Sequence, residues 1–311
     1  MAAVTVANLV QRIRTVLNDY PLSTKLATTI SSTGTTSVIV TTGEGARIDA
    51  TSILEFQDDG EQCYITSMST DTATVVRGYN GTTAASSHTS GVEIRVNPTF
   101  SYKQVTDAVS ATIETLWPYV WKKATLTITP STTKAWYDLD VNVMDLIQVS
   151  QKYNTASTPI RIFFYGARGK TYPVGVFRGI DSSVVTSGVG LYLPYRRDDT
   201  NSIYADVRKK ITDGGTTSYD DIVDTSVSNQ ELAAEMLVAG AVARMLAAHD
   251  IARSSMEDIP QGDKSVRPGV RTQLSAYWHN RFIELRHQLH AEQMLTMSPM
   301  KKAGQHGSAV I

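Results

Sequence analysis

A single cysteine, Cys63, in 311 residues excludes an intramolecular disulfide framework and any zinc site built from several thiolates. Such usage suits a reducing compartment. An excess of charge of either sign is also missing. The chain carries 29 Lys and Arg against 30 Asp and Glu, a formal net charge of −1, so no bulk basic field holds nucleic acid. Long hydrophobic runs are absent as well. The most apolar window, LAAEMLVAGAVARMLAA (232–248), is short and carries Glu235 and Arg244, which reads as a buried helix and not a membrane span. The opening MAAVTVANLVQRIR lacks a basic region followed by an apolar stretch, so no signal peptide is expected. The sequon Asn80-Gly81-Thr82 then has no secretory context. What is present is a composition with 41% hydrophobic and 19% charged residues, which describes a globular chain with real cores and length for two or three domains.

Helical periodicity appears four times. Over 5–18, Val6, Leu9, Val10, Ile13 and Leu17 share a face behind a Thr5 N-cap. Over 101–117, Ser101 and Gln104 form a capping box and Pro118 closes the run. Over 228–249 the pattern is apolar nearly all round and rich in Ala, as for a helix covered on both sides. Over 268–294, Leu274, Tyr277, Trp278, Phe282, Leu285 and Leu289 form one stripe. Between the first two runs lie strand-like segments at 36–40, 52–57, 62–68, 72–77 and 92–96, with Asp59-Gly60 as a hairpin signal. A second β-rich block covers 122–225. The expected fold is α+β: a helical bundle core of four helices (1–24, 98–121 and 226–294) with two β-rich insertions. The first (25–97) is expected to be a small barrel or sandwich, the second is 122–225, and 295–311 is expected to be an extended tail.

Catalytic and metal motifs are few. GARGKT (166–171) lacks the Gly that a phosphate loop needs five positions before Gly169, where Phe164 stands. His287 and His290 share a helix face with Glu284, spacing that an ordinary amphipathic helix also produces. No GxSxG elbow occurs. Asp58, Asp59 and Glu61 read as a solvated hairpin tip, and Lys209-Lys210 as a solvated pair. The expectation is a protein that is not an enzyme and uses no cofactor or metal.

The stretch RGYNGTTAASSHTSG (77–91) is too polar for a core and too regular for a casual loop. Asn80 and Gly81 tolerate positive φ, Thr82 and Thr83 can bond nearby backbone, and Gly91 allows re-entry into a strand. It reads as a structured crossover loop. Together with ILEFQDDGEQCYITSM before it and VEIRV after it, the stretch resembles a β module of tailed-bacteriophage virion proteins. Arg77, Gly78, Asn80, Gly81, Thr82, Ala84, His88 and Gly91 carry the likeness. The order of helices and β insertions, ending in LSAYWHNRFIELRHQLHAEQM, resembles head-to-tail connector adaptor proteins.

That resemblance implies a homo-oligomeric ring of about twelve subunits at the head-tail junction of the virion, assembled in the host cytoplasm. The ring would bind the portal protein above and a tail or nozzle protein, and fibres, below, with duplex DNA passing through unbound and no membrane contact. Tyr277, Trp278, Arg281, Phe282 and Arg286 become subunit-interface candidates, because aromatic and Arg residues side by side are common at interface cores. Trp278 serves equally well as an anchor of the subunit's own bundle. Lys301, Lys302, Ala309, Val310 and Ile311 become a portal-binding tail. Alternatives are another tail, nozzle or baseplate protein, a glycan-binding virion protein using Trp136, Tyr137 or Tyr192, and a cell-wall hydrolase.

Overall fold

A computed structural model of the chain describes residues 5–19, 21–129, 131, 133–151, 160–161, 175–193, 202–212, 229–254 and 270–296. The chain divides into two compact units. One takes the described residues of Met1–Thr115 and Asn229–Gln288, the other those of Leu116–Thr212 and Leu289–Ile311.

In the first unit, α1 (Val6–Val16) starts where the Thr5 hydroxyl accepts from the Asn8 amide. The strands β1 (Leu22–Lys25), β2 (Ser37–Ile39), β3 (Ile53–Phe56), β4 (Gln62–Ser69), β5 (Thr72–Val76) and β6 (Glu93–Val96) form one antiparallel sheet in the order β1-β6-β3-β4-β5-β2. The sheet curls until its edges meet: just past β1 and β2, Leu26 bridges Val40, and the Ala27 amide donates to the Ile39 carbonyl at 2.8 Å. Alternation along the strands sends Leu54, Phe56, Cys63, Ile65, Ala73, Val75, Ile94 and Val96 into one core. The β3–β4 turn places Gly60 at φ +79°, and a Cβ there would lie 2.4 Å from the Tyr102 ring, so only glycine fits the turn.

Three more helices follow. α2 (Tyr102–Glu114) opens on the complete Ser101/Gln104 capping box. α3 (Gln230–Ser254) packs on both α1 and α2. Its Gly240 meets α2 and α4 (Val270–Thr296), and a Cβ at Gly240 would sit 2.3 Å from Thr112 and 3.0 Å from Phe282. Along α4 the expected apolar stripe is buried only in part: Phe282, Leu285 and Leu289 are inside, whereas Leu274 and Tyr277 are exposed.

In the second unit, β7 (Lys122–Ile128), β9 (Val143–Gln151), β10 (Ile160–Arg161) and β13 (Ile203–Lys209) pair in the order β10-β9-β13-β7. β8 (Trp136–Asp138), β11 (Gly175–Arg178) and β12 (Val189–Tyr192) make a second antiparallel sheet, β11-β12-β8. Both sheets supply one hydrophobic cluster, including Val149, Ala205 and Val207 from the first and Val189 and Leu191 from the second. Among the described residues, no helix of the protein is long and apolar enough to cross a membrane.

The expected helical-bundle core with two β insertions is not the architecture. The described chain is mixed, with four helices and thirteen strands in three antiparallel sheets, so strands outnumber helices and carry cores of their own. The reason is visible on α1. Its buried face includes Arg14, whose guanidinium donates to the buried carboxylate of Glu55 on β3, to Gln57 Oε1 (2.8 Å) and to the Phe100 carbonyl (2.8 Å). Glu55 also accepts from the Tyr102 amide at 2.7 Å, at the first turn of α2. Helices and barrel therefore share one polar core.

Removing one partner of a buried ion pair strands the other charge. Glu55→Ala is expected to lower the unfolding free energy of the first unit by about 3–5 kcal/mol, read from urea denaturation followed by circular dichroism. A loss below about 1 kcal/mol, the level of an exposed pair, would show that the bond is not structural.

Candidate functional site

The stretch 77–91 is organised by Glu61, at the end of the β3–β4 turn. Its carboxylate is fully buried and accepts from Arg77 Nε (2.6 Å) and Nη2 (2.5 Å), the Ala85 amide (2.8 Å), the Gly78 amide (3.3 Å) and His88 Nε2 (2.8 Å). Arg77 also donates to the carbonyls of Ser32 and Ala85. The other ring nitrogen of His88 bonds Asp58 at 2.9 Å, and the imidazole stacks on Phe56 with centroids 3.9 Å apart. Backbone bonds between His88 and Ile30 pin the same point to the barrel. The loop is thus closed like a clasp on one acidic group.

The tip of the loop is fixed separately. Gly78 and Asn80 take left-handed backbone, φ +66° and +53°, and Gly81 follows at φ +76°. The Thr82 hydroxyl donates to the Tyr79 carbonyl (2.8 Å) and accepts from the Gln62 amide (3.0 Å). Asn80 Nδ2 donates to Gln62 Oε1 at 2.9 Å. Gly91, at φ +91°, returns the chain to β6 with its amide on the Leu26 carbonyl. Arg77, Gly78 and His88 are therefore brought together at Glu61, and Asn80 and Thr82 at Gln62, while Gly81 and Gly91 shape the backbone of the loop; the positive-φ turn and the threonine-to-backbone bond read from the sequence are found. The reading of Glu61 as part of a solvated tip was wrong: it is 1% exposed. Sequence reasoning also missed Glu55 and Gln62, because only strand register places them beside their donors.

The charges of the clasp are mutually set. Burial alone would raise the Glu61 carboxyl, but the bonds from Arg77, His88 and the Ala85 amide outweigh it and hold it well below the usual range. Burial works against a charged His88, yet the bonds to Asp58 and Glu61 lift it to about 9. Burial, reinforced by the neighbouring Glu61, pushes the Cys63 thiol up, away from nucleophilic use. Asp58, Asp59 and His88 have ligand atoms within 4.8 Å of one another, a spacing that suits a cation. A metal needs a lone pair on the imidazole, and here each ring nitrogen faces a carboxylate, Asp58 at 2.9 Å and Glu61 at 2.8 Å, so a cation would compete with the protons that those carboxylates hold on the ring. The arrangement does the chemistry of a proton-filled lock.

The interface candidates do not share one face. Tyr277 is 59% exposed and stands edge-on to the half-buried Trp278 at 5.4 Å. With Leu274, Leu246, Leu17 and Phe100 they line a cleft of about 490 Å³ in the first unit. Arg281 pairs with Glu284 at 2.9 Å and lies 3.9 Å from Glu235. Phe282 is buried in its own unit, with the Arg286 guanidinium 5.4 Å from its ring. Lys301, Lys302, Ala309, Val310 and Ile311 lie outside the described residues. No protein-family model matches the sequence, and no curated protein matches it.

A histidine whose folded value lies above its free value near 6.5 stabilises fully below that value and ceases to as pH rises through the folded one. The urea midpoint of the first unit is expected to fall between about pH 6.5 and about pH 9. In His88→Gln the midpoint should be lower at neutral pH and flat over that window. An unchanged slope in the variant would assign the titration elsewhere.

Proposed function

We propose that this chain is a structural virion protein of a tailed phage, an adaptor that forms a ring between portal and tail around the DNA path. The observation that carries the reading is the clasped loop, in which Arg77, Gly78 and His88 of the phage-like stretch converge on Glu61. An element closed on itself presents a fixed shape, which suits an assembly part. The cleft beside Tyr277 and Trp278 offers apolar surface for a neighbouring subunit, and a near-neutral chain suits DNA passing without adhesion. On this reading the protein works at the head-tail junction of the virion, without enzymatic activity.

A second reading, a glycan-binding virion protein, is favoured by one feature of the second unit. Trp136, Phe177 and Tyr192 cluster with centroids 4.8–6.4 Å apart, and aromatic clusters of this kind offer stacking surface. Tyr137 does not join them, since it packs against the hydrophobic core.

Native mass spectrometry of the protein mixed with its portal separates the two. The adaptor reading expects a ring-on-ring complex; a monomer that leaves the portal free and binds oligosaccharide overturns it. Deleting residues 295–311 is expected to abolish portal binding and to leave the circular dichroism spectrum and urea midpoint unchanged. Full binding by the truncated chain would remove the tail from the mechanism.

A further inference from the structure

The loop tip holds an asparagine followed by glycine, Asn80-Gly81, at an exposed position. Such a pair is chemically labile. The Gly81 amide nitrogen attacks the Asn80 side-chain carbon and forms a carbon–nitrogen bond. The bond to Nδ2 breaks and ammonia leaves with the displaced proton. Water then opens the cyclic imide at either carbonyl, giving aspartate or isoaspartate. No reagent beyond water is consumed. A β-carbon on residue 81 would hinder the attack, and here there is none, with nothing within 4 Å of where it would stand.

The fold opposes the reaction at two points. Ring closure needs the Gly81 nitrogen on the same side as the carboxamide, whereas Asn80 is held in left-handed backbone at φ +53°, ψ +31°, in a turn closed by the Thr82 N–H on the Tyr79 carbonyl at 3.1 Å. The leaving group is also tied, through Nδ2 to Gln62 Oε1. That bond has one possible sense. Gln62 Nε2 donates to Glu55 at 3.0 Å, and a carboxylate there demands a donor, so Oε1 must face residue 80. Residue 80 must then donate. After deamidation it carries a carboxylate facing a fixed acceptor, and the tip loses its bond and gains repulsion.

We propose that Asn80 is a site of spontaneous deamidation gated by the loop: closed while Gln62 and the 3-10 turn hold it, reactive whenever the tip opens, and, once reacted, unable to close again. The modification converts a transient opening into a permanent one at an exposed turn of the β module.

The test follows the amide-to-acid mass gain and isoaspartate content of the tryptic peptide spanning residue 80. Full-length protein is incubated at mildly alkaline pH in buffer and in urea, beside a synthetic peptide of residues 77–91. Native protein should react at least roughly tenfold slower than the peptide, since local opening must precede attack. Urea should bring the two rates together. Gln62→Ala should accelerate the folded protein roughly tenfold, as one fixed hydrogen bond is lost. Thr82→Val, which spares the Glu55 contact, should do so to a lesser degree and covers the case in which Gln62→Ala fails to fold. Native protein reacting as fast as the peptide would overturn the gate, and no reaction in urea would overturn the site.

Discussion

Two carboxylates that never meet water, Glu55 and Glu61, flank one hairpin, and most of the first unit is arranged around them. A buried carboxylate is costly unless every lone pair finds a donor. Glu55 finds Arg14 on α1, the Tyr102 amide on α2 and the side chains of Gln57 and Gln62. Glu61 finds Arg77, His88 and two loop amides. The first set draws helices onto the barrel. The second draws the crossover loop over its end. Gln62 belongs to both, since its side-chain amide bonds Glu55 and Asn80 while its backbone amide bonds Thr82. Docking of the helices and shape of the loop tip are therefore linked through one side chain whose orientation the Glu55 carboxylate dictates.

Much of the local structure was legible in the sequence. The capping box at Ser101 and Gln104, the apolar stripe of α1 and the alternation through Cys63, Ile65, Ala73 and Val75 depend on neighbours a few residues away, which a linear reading sees. The strand β1 was missed because Leu22–Lys25 has four residues and half of them point outward. The architecture was misjudged because it depends on non-local pairings. Nothing near Arg14 in the chain announces that it will meet Glu55 forty-one residues later, and an arginine on an otherwise apolar stripe looks like a solvated edge. The same limit hid the clasp. Glu61 looked exposed because it follows Asp58, Asp59 and Gly60, and only the register of β3 against β4 turns it inward.

The stripe on α4 shows the opposite error. Its apolar residues are evenly spaced, and even spacing predicts even burial. Burial is instead uneven, with Phe282 pressed against Gly240 and Tyr277 in solvent. An amphipathic pattern records that a face is apolar and says nothing about what covers it. Where the subunit itself does not, as beside Leu274 and Tyr277, the remaining apolar surface is either idle or reserved for another chain.

Polar anchoring of this kind trades stability for definition. Apolar residues at positions 55 and 61 would pack in many ways at little difference in energy, whereas a desolvated carboxylate tolerates only arrangements that present donors at the right places. The outcome is a unit in which the loop tip, α1 and α2 are held to one geometry by directional bonds. In the proposed ring that definition has a use. Closure of identical subunits requires the same rotation at every interface, so angular play within each subunit accumulates around the circle and favours open or mismatched assemblies. A subunit tied by buried carboxylates whose oxygens all accept hydrogen bonds limits that play at its source.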